Sequence, residues 1–116
     1  MVIDRDDKHY LRRIIEHANR IADFTNRFNG NIENLQNDLA YQQAVILSVV
    51  QLGENVRKLT DGLKSKYSKV LWREVSDMRN LLVHDYDGAD FSVLWDAMVN
   101  DIPELKNYCE KILTEI

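Results

Sequence analysis

The chain of 116 residues holds one proline, one cysteine and four glycines, and each scarcity excludes something. An all-β domain of this length needs more turn residues than these, so a sheet-built design is excluded. A single cysteine, Cys109, rules out an internal disulfide framework and fits a reducing cytoplasm. No apolar run approaches the roughly 20 residues needed to span a bilayer. The opening "MVIDRDDKHY" has no apolar segment able to act as a signal peptide, so no membrane association is expected. Clustered Cys/His spacing, an HExxH pair, a GxGxxG run and a P-loop lysine are all missing. No metal site and no nucleotide cofactor of those kinds is therefore expected.

What is present is an ordinary globular composition, 45% hydrophobic and 29% charged, enough for one domain over residues 1–116 around a single core. The net charge of −4 argues against indiscriminate binding to nucleic acid. The charge is uneven, however. Residues 57–73, "RKLTDGLKSKYSKVLWR", carry Arg57, Lys58, Lys64, Lys66, Lys69 and Arg73 against Asp61 alone, so this segment is +5 and the rest of the chain −9. Such a segment is either a solvated linker or a basic patch.

Apolar spacing predicts a helix from about Asp6 to Phe28, with Leu11, Ile14, Ala18, Ile21, Thr25 and Phe28 on one seam. Asn29-Gly30 stops it, because both tolerate the left-handed conformation. One or two helical turns over Ile32–Asn37 follow. A long helix starts after the cap Asp38 and runs to about Leu59; its "AVILSVVQLG" core is apolar nearly all round and predicts heavy burial. Gly53 within it costs about 1 kcal/mol relative to alanine, which predicts a close helix–helix contact there. A basic linker turning at Asp61-Gly62 leads to a helix over Val70–Tyr86 that ends at Asp87-Gly88. A last helix begins near the cap Asp90, carries Leu94, Met98, Ile102, Leu105, Cys109 and Ile112, and is expected to kink at Pro103. The sum is an all-α, up-and-down bundle of four main helices plus a short extra one.

The stretch "MRNLLVHDYDG", residues 78–88, does not read as core alone. At about 100° per residue, Leu71, Met78 and Leu82 form the packing stripe, with Val75 beside it and Leu81 towards its edge. Arg79, Asn80, His84, Tyr86 and Asp87 spread over the opposite arc. Asn80 and His84 are an i, i+4 pair, and Arg79 and Tyr86 lie in line two turns apart. A purely structural account has His84 favouring the negative end of its own helix and Arg79 pairing with Asp77 or Asp85. A chemical account is phosphodiester cleavage without metal. An imidazole moves the proton of a ribose 2′-hydroxyl or of the leaving oxygen, and a guanidinium receives the charge that grows on the phosphate. One motif histidine per chain is short of an acid and a base, and a symmetric dimer would supply the second.

The motif and its flanks resemble the HepT-like toxins of the HEPN (higher eukaryotes and prokaryotes nucleotide-binding) superfamily. "RNLLVHDY" is similar to their Arg-polar-x3-His-x-Tyr signature. "LGENVRKL" at 52–59 resembles their Gly-Glu segment, "LWREVSDMRNLLVHDYDGAD" their run into the signature, and "LWDAMVNDIPELK" their last helix. The likeness covers residues 40–113. It implies an all-α homodimer whose two motifs share a cleft, and a metal-independent endoribonuclease acting on tRNA or mRNA. It also implies the toxin half of a type VII-like toxin–antitoxin pair, silenced when a minimal nucleotidyltransferase transfers AMP to the signature tyrosine. Carried over, Arg79 and His84 are the catalytic pair, Asn80 the polar helper and Tyr86 the modified residue. Lys64, Lys66, Lys69 and Arg73 would steer RNA to the cleft, and Trp72, Trp95 or Phe91 would serve either the dimer contact or the core. Two departures stand out: Asp87 follows Tyr86 where the family often has an aromatic residue, and Val70-Leu71 replaces a proline before Trp72. A non-catalytic module docking on a nucleotidyltransferase partner is the alternative, and a plain structural bundle a third reading. His9 and His17 match no motif and read as ordinary first-helix residues.

Overall fold

The computed structural model describes residues 5–85, 88 and 90–116, and these fold as helices joined by short connections. The first helix, α1, spans Arg5–Arg27 and buries Leu11, Ile14, Ala18 and Ile21, as their spacing requires. Asn29, with φ at 49°, ends it in the left-handed conformation. Beyond that turn α2 spans Ile32–Asn37, capped by the Asn31 side chain on the Asn34 N–H at 2.8 Å. The ring of Tyr41, fully buried, stacks on Phe28 and shares a 2.8 Å hydrogen bond with Thr25, tying the end of α1 to the start of α3.

The central helix α3 spans Leu39–Lys58, with Asp38 capping the Tyr41 N–H as its sequence position suggests. It packs against α1 on one side and against α5, Trp72–Asp85, on the other. The heavy burial expected of α3 holds for Tyr41, Val45, Val49, Leu52 and Val56, but not all round. Two flanking helices leave a solvent strip on which Leu39 and Leu47 are 61% and 62% exposed.

The basic linker also differs from its reading. In place of a turn at Asp61-Gly62 there is a short helix, α4, over Asp61–Lys66. Thr60 caps it, accepting from the Leu63 N–H at 3.3 Å, and Leu63 is fully buried. The buried Asp7 carboxylate accepts the Thr60 N–H at 2.9 Å and its hydroxyl at 2.7 Å, so the start of α1 clamps this corner. Burial of Leu63 and a doubly used threonine outweigh the helix-weakening Gly62.

The last long segment is divided. Helix α6 spans Phe91–Asp96 behind the cap Asp90, a π-helical turn covers Ala97–Asp101, and α7 spans Ile102–Glu115. The irregularity thus falls one turn ahead of Pro103, where a kink was expected. Proline has no N–H for the carbonyl four residues back. Widening the preceding turn, with Ile102 N–H on the Ala97 carbonyl five residues back, absorbs the misfit while Met98, Ile102 and Leu105 stay on the core seam. α7 packs along α1 and closes the core. Cys109 lies inside it, and burial pushes its thiol up to about 12, which removes it as a nucleophile. No helix among the described residues is long and apolar enough to cross a membrane.

Candidate active site

The contact between α3 and α5 is built on a missing side chain. A Cβ added to Gly53 would lie 2.9 Å from Arg79 Cγ and 3.4 Å from the Val75 carbonyl oxygen. The arginine stem therefore runs directly over the glycine, the close approach that Gly53 implies in the sequence. Val75 and Leu82 are buried on the same face, and Met78 is half-buried. Leu81, placed near the packing stripe by periodicity, is instead 47% exposed. Trp72 is buried, its indole N–H donating to the Tyr67 carbonyl at 3.0 Å, and Trp95 and Phe91 pack against the core. None of these three aromatics forms an exposed patch.

Arg79 is not on an open solvated face. Its side chain is 19% exposed, and its partner is neither Asp77 nor Asp85 but Glu54, the residue after the glycine, with Nη2 2.9 Å from the carboxylate. Nη1 donates to the Asn80 side-chain oxygen at 3.0 Å. The buried Nε has no hydrogen-bond partner among the described residues. The guanidinium is thus held from two sides, Glu54 on α3 and Asn80 on α5, with N–H donors to spare. Asn80 and His84 are exposed, one turn apart and about 6 Å along the helix axis. Tyr86 and Asp87 lie outside the described residues. Glu54 is the member of this set that sequence reasoning missed; the Gly-Glu dipeptide was noted, but no local rule pairs it with a residue 25 positions on.

The basic residues divide. Lys64, Lys69 and Arg73 line one surface concavity of about 620 Å³ at the start of α5. Lys66 turns away, its ammonium 5.6 Å from the centre of the Tyr67 ring. Arg73, Asn80 and His84, seven and four residues apart, share one strip of α5 and connect that concavity to the imidazole. Among the described residues, no three His, Cys, Asp or Glu side chains come together as a metal centre would require.

The fold and site define an all-helical domain that holds an arginine at a helix–helix seam, with an amide hydrogen-bonded to it and an exposed imidazole one turn beyond that amide. The chain belongs to the HepT-like ribonuclease family, whose sequence model, described as ribonuclease HepT-like, matches residues 8–112. It is similar to "Putative RNase MJ1216" of Methanocaldococcus jannaschii, 34% identical over 112 residues that cover 97% of this chain and 91% of that one. It is likewise similar to "Probable ribonuclease HepT" of Thermococcus cleftensis, 35% identical over 108 residues, 93% of this chain and 96% of the other. No solved structure matches the chain at a significant level.

Proposed function

We propose that this protein is the toxin of a toxin–antitoxin pair, a metal-independent endoribonuclease that works as a homodimer. The observation that carries the reading is Arg79, pinned by Glu54 and Asn80, with an exposed His84 one turn beyond Asn80 on the same helix, in a chain of a ribonuclease family. His84 takes the proton of the ribose 2′-hydroxyl, and that oxygen attacks the adjacent phosphorus. The bond from phosphorus to the 5′-oxygen breaks, leaving a 2′,3′-cyclic phosphate, and the 5′-oxygen receives a proton from the His84 of the second copy. Arg79 faces the phosphoryl oxygens, on which negative charge grows.

The second copy supplies more than a proton donor. His84 is exposed, and such chemistry gains from excluding water. Leu81 and Val83, 47% and 45% exposed, lie on either side of the His84 strip and offer apolar surface for a partner to cover. The concavity of Lys64, Lys69 and Arg73 is where RNA first lands. Replacing these three by glutamine should flatten the salt dependence of RNA binding by about 2 units of log–log slope, at about 0.7 per contact with a single strand. Lys66→Gln should leave that slope unchanged; the reverse pattern would remove the concavity from the RNA path.

Silencing by AMP transfer to Tyr86 follows in this reading, since a phosphate attached only seven residues along the chain from Arg79 would compete with RNA for the guanidinium. Expression of the chain with its nucleotidyltransferase partner should restore growth and add one AMP unit to the mass of Tyr86. Tyr86→Phe should stay toxic beside that partner. Full silencing of Tyr86→Phe would remove AMP transfer from the account.

A further inference from the structure

The site described above leaves one charged cluster unused. On the other flank of the α3 solvent strip, a groove of about 430 Å³ runs between α1 and α3, lined by Arg13, His17, Arg20, Phe24, Leu47 and Gln51 among others. Its volume falls within the range of about 300–1,000 Å³ typical of small-molecule sites. Gln51 stands one turn before Glu54, so the groove adjoins the Glu54–Arg79 pair along the same helix.

His17 makes this more than a crevice. It is 3% exposed on the core seam of α1, yet its Nδ1 lies 3.5 Å from Arg20 Nη1. A guanidinium only donates, so Nδ1 accepts and the proton of the neutral ring sits on Nε2. That Nε2 is buried and has no partner among the described residues. Burial pushes the His17 pKa down, the cations Arg13 and Arg20 push it further, and Glu16 opposes them. The buried donor without an acceptor costs free energy, and separately the two cations flanking the ring favour an anion in the groove. Glu16 balances part of this, holding Arg13 at 2.7 Å, but from the exposed side. At the other end the groove turns apolar, with half-buried Phe24 and the 62% exposed Leu47.

We infer that this groove is a second site for a nucleotide unit, in which Arg13 and Arg20 hold a phosphate and Phe24 and Leu47 hold the attached base. Paired guanidinium groups suit phosphate, and an aromatic face beside cations suits any base. The unit is either a free mononucleotide or one nucleotide of a single-stranded RNA. In the second case the site extends the RNA path and rests on the ribonuclease reading; in the first it does not.

The test is a nuclear magnetic resonance titration of His84→Ala protein, which should not cut RNA, following the His17 ring and the amides of α1 and α3. The probes are inorganic phosphate, uridine 5′-monophosphate and a short oligouridylate. Phosphate and the mononucleotide should both give saturable shifts at His17 and Arg20, the mononucleotide binding more tightly. Arg20→Gln should weaken both by about tenfold. Phe24→Leu should erase the advantage of the mononucleotide while leaving phosphate binding intact. An oligonucleotide binding more tightly than the mononucleotide identifies the RNA strand as the source, and equal binding identifies the free nucleotide. No saturable shift, or binding indifferent to Arg20→Gln, would overturn the inference. So would shifts that follow protein concentration in place of probe, since the groove would then be a contact between copies. Saturable binding here beside a wild type that cuts no RNA would sink the ribonuclease reading alone.

Discussion

His84→Ala should lower RNA cleavage by about 10²- to 10⁴-fold, the range that positioned acid–base groups contribute. It leaves thermal stability nearly unchanged, because the side chain is exposed and such substitutions stay within about 0.5 kcal/mol. Arg79 behaves differently. Arg79→Lys keeps the charge but loses the planar fork that reaches Glu54 and Asn80 together, so cleavage should fall while RNA should still bind. Glu54→Gln separates positioning from binding. Without the carboxylate beside the guanidinium, RNA should bind more tightly, yet Arg79 would no longer be held in place and turnover should drop. Single-turnover rates measured beside equilibrium binding read both. A Glu54→Gln protein with unchanged turnover would remove Glu54 from the site, and a His84→Ala protein as active as wild type would remove the imidazole.

The second large effect falls on Gly53. Its Cβ position is occupied by the stem of Arg79 and bordered by the Val75 backbone, so any side chain there must push α3 and α5 apart. Overpacking of this kind costs about 1–3 kcal/mol. For Gly53→Ala the better helix propensity of alanine returns about 1 kcal/mol, leaving a loss of about 1 kcal/mol, or roughly 4 °C in Tm. Gly53→Val gains less in propensity and forces a larger shift, so it should melt lower still. Because the displaced group is Arg79 itself, cleavage at a temperature where both proteins are folded should fall at least tenfold, more than the stability loss alone accounts for. Unfolding scans and cleavage rates on the same samples test this. A Gly53→Ala protein that melts and cuts like wild type would mean the seam relaxes without moving Arg79.

Some of this was legible in the sequence because the signals are local. The seam of α1, the caps Asp38 and Asp90, and the stop at Asn29 each depend on neighbours within one or two turns. Gly53 was legible as well, since a glycine inside an apolar helix points to a close neighbour. What the sequence hid is tertiary. Glu54 meets Arg79 only after α3 and α5 pack, and the acids adjacent in sequence were the misleading candidates. Helix α4 hid within a lysine-rich stretch because the burial of Leu63 and the clamp of Asp7 on Thr60 arrive from elsewhere in the fold. Pro103 marked an irregularity correctly but not its form, a widened turn rather than a bend. The burial of His17 beside Arg20 was not legible from one residue; Arg13 and Arg20, on the same helix face one turn to either side, were the available clue.

The most direct measurement is cleavage of labelled total tRNA and mRNA by purified, unmodified protein in EDTA, beside His84→Ala, with the product ends identified. The account predicts cutting by wild type alone, ending in 2′,3′-cyclic phosphate and 5′-hydroxyl. Intact RNA with folded wild type, or equal cutting by both proteins, would contradict it.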